Sequence, residues 1–140
     1  MAASGQTGSS TFWPRRHAEP VIIDSNILIY SWTDEHAELL LFIRQNAPSV
    51  SVVTKIETLG YHLLSPDERI YLETFFEDAI VLGVTEAIAD RAVTLRQRRK
   101  MSLGDSLIAA TALIHDVPLV THNLSDFSWV EGLKLLDPIR

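Results

Sequence analysis

The feature that most constrains the fold of this chain is a short apolar segment that ends on an acid. Residues 21–24 read Val-Ile-Ile-Asp. A continuous run of β-branched residues is typical of a parallel strand that is buried on both faces. In open α/β sheets, functional side chains gather just beyond the carboxyl ends of such strands. Asp24 therefore occupies a position at which we expect chemistry.

Strand and helix patterns alternate after Asp24 and predict a mainly parallel sheet. Further strands are expected at 50–53, 80–82, 117–121 and 133–136. Helices are expected just after Asp24, from Thr33 or Asp34 to Ala47-Pro48, from Thr54 to Leu64, from Ser65 to Asp78, from Thr85 to Arg99 and from Ser106 to His115. Such alternation implies right-handed crossovers and helices on both faces of the sheet. We therefore predict a three-layer α/β/α domain with a central sheet of four to five strands.

Composition restricts the class of protein. Residues 1–19 are expected to form a flexible arm or a tag remnant, and 20–140 a single domain. The absence of cysteine excludes disulfides and thiolate metal sites, and no apolar run approaches the roughly 20 residues of a membrane span. We expect a cytoplasmic protein without a secretory signal. A net charge of −6 argues against general affinity for nucleic acid, unless the acids are concentrated around a metal.

Four acids share one predicted address in the fold. Asp24 ends the first strand, and Asp126 follows the fourth. Glu57 and Asp105 fall in the first turns of two predicted helices. Strand ends and the helix starts that follow them share one edge of a parallel sheet, so these carboxylates can face one crevice. Their oxygens suit Mg²⁺ or Mn²⁺, which can activate water and stabilise charge on a leaving oxygen.

Each acid also has a structural interpretation. Glu57 fits a capping box with Thr54 as the cap. Asp105 can complement a helix dipole, for a gain of roughly 0.3–1 kcal/mol. Asp126 can cap a short turn helix, and Asp24 can belong to an Asx-turn. Taken singly, each acid is a weak signal, and it is the four together on one edge that favour a catalytic site.

Four blocks of the sequence, taken in order, resemble those of PIN domains. They are Val-Ile-Ile-Asp-Ser-Asn at 21–26, Ser-Val-Val-Thr-Lys-Ile-Glu at 51–57, Leu-Gly-Asp-Ser-Leu-Ile-Ala-Ala-Thr-Ala at 103–112 and Leu-Val-Thr-His-Asn-Leu-Ser-Asp-Phe at 119–127. The chain is similar over about 20–140 to the VapC-like ribonuclease toxins of bacterial toxin–antitoxin pairs. The resemblance implies a PIN-like fold, an endoribonuclease that cleaves RNA with metal-activated water, a Mg²⁺ (or Mn²⁺) cofactor, and a cognate antitoxin.

The resemblance also implies roles for individual residues. The catalytic and metal-binding acids are expected to be Asp24, Glu57, Asp105 and, more peripherally, Asp126. The supporting polar residues are expected to be Ser25, Asn26, Thr121 and, with a weaker match, Asn123. Gly104 departs from the family pattern, in which a side chain is commoner before the acid. The departure leaves Asp105 in place.

Two further features predict surfaces for partners. A basic run just before the loop to Asp105 comprises Arg96, Arg98, Arg99 and Lys100. It can grip RNA phosphates, or it can simply place favourable charge at a helix C-terminus, and both interpretations stay open. Surplus apolar residues at 39–42 and 61–64 predict a homodimer seam or a groove for an antitoxin helix.

Three other functions compete with the nuclease. The segment Gly104-Asp105-Ser106-Leu107 spells a serine esterase motif, but Ser106 opens an apolar helix and no histidine follows His122. A phosphatase with Asp24 as nucleophile needs a second acid two residues later, where this chain has Asn26. A PIN-like module without activity would only bind a partner, and the presence of all four acids argues against it.

Overall fold

The computed structural model describes residues 20–32, 37–45 and 47–139. The predicted arm at 1–19 and the predicted caps Thr33 and Asp34 lie outside the described residues. The strands are β1 (Pro20–Ile23), β2 (Ala47–Ser51), β3 (Ile80–Leu82), β4 (Leu119–Val120) and β5 (Leu135–Leu136). The helices are α1 (Ser25–Ser31), α2 (Ala37–Gln45), α3 (Val52–Leu59), α4 (Pro66–Asp78), α5 (Glu86–Arg98), α6 (Leu103–His115) and α7 (Leu124–Phe127).

The five strands form one sheet in the order β3-β2-β1-β4-β5, and every neighbouring pair is parallel. The predicted α/β/α architecture is therefore confirmed. The chain moves outward from β1 to β2 and β3, and then returns to place β4 and β5 on the other side. The topological switch point lies between β1 and β4, and a crevice at the carboxyl ends of these two strands follows from it.

The central strand β1 faces two separate cores. Val21 and Ile23 pack in one apolar cluster with residues of α1, α2 and α4, including Leu28 and Phe76. Ile22, between them, packs in a second cluster with residues of α5, α6 and α7. Successive side chains of a strand point to opposite faces, so an unbroken apolar run is what a sheet covered on both sides requires.

The segment around α3 differs from the prediction. The predicted strand and helix are both present, but their predicted bounds of 50–53 and 54–64 are wrong, because β2 ends at Ser51 and α3 runs from Val52 to Leu59. Ser51 is the N-cap, and its hydroxyl accepts a hydrogen bond from Val53 N at 3.0 Å. The cap overrides the strand preference of the two valines. Ala47-Pro48, predicted to end a helix, instead begin β2.

The other boundaries follow their caps. Ser65 and Glu68 form the predicted capping box of α4, and Thr85 caps α5. Helix α6 begins at Leu103, earlier than predicted, because the Ser102 side chain caps it. Strands β4 and β5 are shorter than predicted. Within the part of the chain that the structure describes, no helix is both long and apolar enough to span a membrane.

Candidate active site

Asp24 lies at the switch point and is only 3% exposed. Its Oδ1 accepts a hydrogen bond from Ser25 N, and its Oδ2 accepts one from Thr121 Oγ1, each at 2.8 Å. The Thr121 hydroxyl in turn accepts a hydrogen bond from Asn123 N at 2.9 Å. Asp24 is also the N-cap of α1, so its structural role and its place in the crevice coexist. Both of its oxygens are thus fixed in direction.

Glu57 reaches the same crevice from the second turn of α3. Its Oε1 accepts a hydrogen bond from Ser25 Oγ at 2.8 Å. The predicted capping box is wrong, because Ser51 caps the helix and Thr54 lies inside it, buried, with its Oγ1 3.3 Å from Ser25 Oγ. Glu57 is therefore held by a residue of α1. Ser25 orients two of the acids, one through its backbone and one through its hydroxyl.

Asp105 and Asp126 approach from the other side of the crevice. Asp105 is half-buried in the first turn of α6, and its N–H donates to Ser102 Oγ at 3.0 Å. Asp126 is exposed on α7. Burial raises the pKa of Asp105, repulsion from Asp126 and Glu57 raises it further, and a separate hydrogen bond between the Ser102 and Asp105 side chains opposes the rise.

The buried Asp24 carboxylate is affected most by its surroundings. Burial raises its pKa from 3.8 to about 6. The hydrogen bonds from Thr121 and Ser25 oppose this rise, whereas repulsion from Asp105 and Glu57 adds to it. Mutual repulsion links Asp24, Asp105 and Glu57 to one another and Asp105 to Asp126. The structure thus brings the four predicted acids into one cluster in which the carboxylates repel one another.

The supporting residues are placed unevenly. Ser25 and Thr121 hydrogen-bond the acids directly, whereas Asn123 contributes its backbone N–H. Asn26 is half-buried in the first turn of α1, outside these hydrogen bonds. Sequence reasoning missed Ser102, although Ser-x-x-Asp before an apolar run is a helix-start signal that points to it. It assigned Thr54 to a helix cap, whereas the structure buries Thr54 inside α3, beside the Ser25 hydroxyl.

The predicted basic run has partners within the chain. Arg96 Nε donates to the Met101 carbonyl oxygen at 3.1 Å, and Arg98 lies 4.0 Å from the Glu131 carboxylate. The Arg99 guanidinium lies 5.3 Å from the centre of the Trp129 ring. These contacts join the end of α5 to neighbouring loops and leave the side chains exposed. An RNA contact at this run stays a prediction.

The donor set suits a hard divalent cation. All four acids offer carboxylate oxygens, the ligands that Mg²⁺ and Mn²⁺ prefer. Among residues 20–32, 37–45 and 47–139, no three acidic or histidine side chains stand close enough to ligate one ion together. Mg²⁺ is commonly held by one or two carboxylates and several waters. The cluster therefore fits an ion bound in that open manner.

The esterase motif is not a nucleophile site. The Ser106 side chain is fully buried in α6, and its Oγ donates to the Leu103 carbonyl oxygen at 2.7 Å. A hydroxyl in this position cannot meet a substrate. The esterase alternative is therefore wrong.

Fold and site together define an α/β protein with an acidic crevice at the switch point of a parallel sheet. The family model described as PIN domain matches residues 21–132. The chain belongs to the PIN domain family, and the resemblance seen in the sequence is confirmed.

Individual relatives agree with this assignment. Ribonuclease VapC10 of Mycobacterium tuberculosis is 34% identical over 122 residues, which cover 81% of this chain and 90% of that protein. A toxin–antitoxin complex from Klebsiella pneumoniae is similar in structure, with a TM-score of 0.67, 26% identity, and coverage of 83% of this chain and 95% of that one. DNA-bound VapBC from Salmonella typhimurium has a TM-score of 0.74 at 20% identity, covering 84% of this chain and 97% of that one, and supports the fold.

Proposed function

We propose that this protein is a divalent-metal-dependent endoribonuclease and the toxin of a toxin–antitoxin pair. The observation that carries the proposal is the group of mutually repelling carboxylates in which Asp24 and Asp105 each face Glu57 and Asp105 also faces Asp126, at the edge of the sheet where α/β proteins place their chemistry. The similarity to a ribonuclease that covers most of both chains supports RNA as the substrate.

Four carboxylates alone would repel a phosphodiester, so the cluster needs a cation before it can bind one. Asp24 and Asp105 would hold Mg²⁺ or Mn²⁺, with Glu57 and Asp126 around it. Such an ion supplies Lewis acidity, a lowered pKa of bound water and neutralisation of charge on the leaving oxygen. Its charge also favours the ionised form of Asp24, whose pKa lies near 6 without it.

The protein's own groups orient the acids for this reaction. Thr121 fixes Oδ2 of Asp24, and Ser25 fixes Oδ1 of Asp24 together with Oε1 of Glu57. Hydrogen bonds of this kind preset the direction of the carboxylate oxygens and reduce reorganisation during the reaction. Asp126 and Glu57 are exposed at the rim, so the RNA phosphate would approach from their side.

The test is RNA cleavage by the full chain with and without divalent cation. We expect cleavage in Mg²⁺ or Mn²⁺, loss of cleavage in EDTA, and a decrease of at least about 100-fold in Asp105→Asn, because the ion loses a ligand. Asp90→Asn, an exposed acid on α5, is the matched control and should cleave as the wild type does. Metal-independent cleavage, or full activity in Asp105→Asn, would contradict the proposal. Absence of cleavage in every condition would favour the inactive binding module.

The antitoxin partner is proposed on the likeness to toxin–antitoxin complexes and on one apolar groove. The groove holds about 300 Å³ between α1, α3 and α4 and opens beside Glu57. Ile29 and Tyr61 line it, and each is about half exposed. Such a groove accommodates the apolar face of an amphipathic helix. The homodimer expected from the surplus apolar residues stays a prediction.

We also propose that the basic run at the end of α5 binds RNA phosphates. Its side chains are exposed, and the run leads directly to the loop before α6, on which Asp105 stands. A protein of net charge −6 has few other places where positive charge is dense. Arg96, Arg98 and Lys100 are the residues to change, because Arg99 packs on Trp129.

The salt dependence of RNA binding should report this contact. In an Asp105→Asn background that prevents cleavage, replacing the three residues with alanine should reduce the slope of log K against log salt by about 2, since each single-strand phosphate contact contributes about 0.7. The control replaces Arg69, Arg91 and Lys134 with alanine, which removes the same charge elsewhere. Equal slopes in the two triple variants would show that the run only stabilises its helix end.

A further inference from the structure

Gly104 stands in the first turn of α6, immediately before Asp105, and faces the carboxylate of Glu57. A β-carbon built on Gly104 would collide with Oε2 of Glu57 and lie 3.3 Å from its Cδ. The three atoms nearest to that β-carbon all belong to the Glu57 carboxyl group. Gly104 is helical, so its backbone does not require glycine. What glycine provides here is space.

That space has a cost in stability. Glycine within a helix is less favourable than alanine, because it loses more conformational freedom on folding. The rest of α6 uses alanine freely, at positions 109, 110 and 112. The glycine at this position is therefore best explained by the group that occupies the space of its missing side chain, the Glu57 carboxylate.

We propose that Gly104 is a positioning residue for Glu57. Its missing β-carbon lets the Glu57 carboxylate lie against the first turn of α6, next to Asp105, while Ser25 holds the other oxygen. This inference rests on the proposed function, because it concerns the geometry of the same acidic site.

The substitution Gly104→Ala should separate stability from function. The Glu57 carboxylate is the far end of a flexible side chain, whereas the backbone of α6 is anchored by buried residues such as Ile108. The carboxylate will therefore move, and the helix will stay. Movement breaks the 2.8 Å hydrogen bond from Ser25 Oγ to Glu57 Oε1. A purely structural glycine would show the opposite, with lower stability and an unchanged site.

The experiment measures Mn²⁺ binding to the purified full chain by calorimetry, together with the melting temperature in EDTA. We expect Gly104→Ala to bind Mn²⁺ about tenfold more weakly, as outer residues of metal sites do when altered, and to melt at the wild-type temperature or above it. Gly83→Ala is the matched control, since a β-carbon there meets no atom within 4 Å. Its Mn²⁺ affinity should equal that of the wild type.

A double-mutant cycle isolates the route through Glu57. In a Glu57→Ala background the carboxylate is gone, so adding Gly104→Ala should not weaken Mn²⁺ binding further. An additive loss in the double variant, or unchanged Mn²⁺ affinity in Gly104→Ala alone, would overturn the inference.

Crystal structures of the wild type and of Gly104→Ala give a readout that needs no metal. We expect Glu57 Oε1 to lie beyond 3.5 Å, the usual limit of a hydrogen bond, from Ser25 Oγ in the variant only. An unmoved Glu57 would overturn the inference. If the wild type neither binds Mn²⁺ nor cleaves RNA, the proposed function fails, and this comparison still decides the role of Gly104.

Discussion

Replacement of Asp24 by asparagine should abolish RNA cleavage and at the same time stabilise the fold at pH 8. The carboxylate is buried, and its pKa is raised to about 6 in the folded protein from 3.8. Asparagine removes the charge and can keep both hydrogen bonds, accepting from Ser25 N and donating to Thr121 Oγ1. The substitution thus removes both a proposed metal ligand and an unfavourable buried charge.

The difference between the folded and unfolded pKa values of Asp24 determines how this carboxylate affects stability at each pH. The folded pKa is the higher one, so the folded state of the wild type binds the Asp24 proton more tightly than the unfolded state does. The resulting stability is fully present below about pH 3.8 and is lost as the pH rises through about 6. The difference between these two pKa values corresponds to roughly 3 kcal/mol.

Urea unfolding in EDTA at pH 4 and pH 8 measures the effect of Asp24→Asn on stability. We expect the free energy of unfolding of Asp24→Asn to exceed that of the wild type by about 1–3 kcal/mol at pH 8 and to equal it at pH 4. The free energy of unfolding of Asp90→Asn should differ little from that of the wild type at either pH. Mn²⁺ should then stabilise the wild type and leave Asp24→Asn nearly unaffected, because binding to the folded state alone raises its stability. A variant that is less stable at both pH values would contradict this account of the Asp24 carboxylate.

The second large effect is expected at Phe127, which has an exposed fraction of 0% and packs in the cluster that contains Ile22, Ile108 and Leu119. Phe127→Ala should reduce the free energy of unfolding by about 3–5 kcal/mol, through lost burial and the cavity left behind. Such a loss is a large part of the roughly 5–15 kcal/mol that stabilises a typical domain.

The same substitution should weaken the site. Helix α7 has four residues, and Phe127 is its buried one, so Asp126 depends on Phe127 for its position. Leu124→Ala on the same helix is the control. Because Leu124 is 40% exposed, its substitution should reduce the free energy of unfolding much less. Urea unfolding compares the two, and Phe127→Leu provides a milder variant for cleavage assays. A loss below about 1 kcal/mol in Phe127→Ala would show that α7 is held by other contacts.

The fold class and the positions of the four acids could be predicted, and for three of these acids the signals are local. Val21 to Ile23 mark a buried parallel strand by composition alone, and Asp24 follows them directly. Asp105 and Asp126 lie close to a helix start and a strand end, where the topology brings them to one edge. Propensity and capping patterns extend over a few residues, and these features fit within that range.

Most of the failures arose where a contact spans a long stretch of chain, and one arose from a local cap. Glu57 was predicted to belong to the site, but its expected cap was wrong, because the residue that holds it is Ser25, 32 positions earlier. The need for Gly104 likewise depends on how closely α3 approaches α6. At Ser51, a hydroxyl cap outweighed the strand preference of Val52 and Val53.

The parallel sheet also determines when the site can form during synthesis. The hydrogen bond from Thr121 to Asp24 joins residues 97 positions apart, and β1 acquires its second neighbouring strand only when β4 pairs with it. Every strand pair in the described part of the chain is parallel, so no hairpin there offers a local route, and sheets with such non-local pairs form slowly. The acidic crevice cannot assemble until residue 121 has left the ribosome. A growing chain therefore carries Asp24 for most of its synthesis without the arrangement that gathers the four acids.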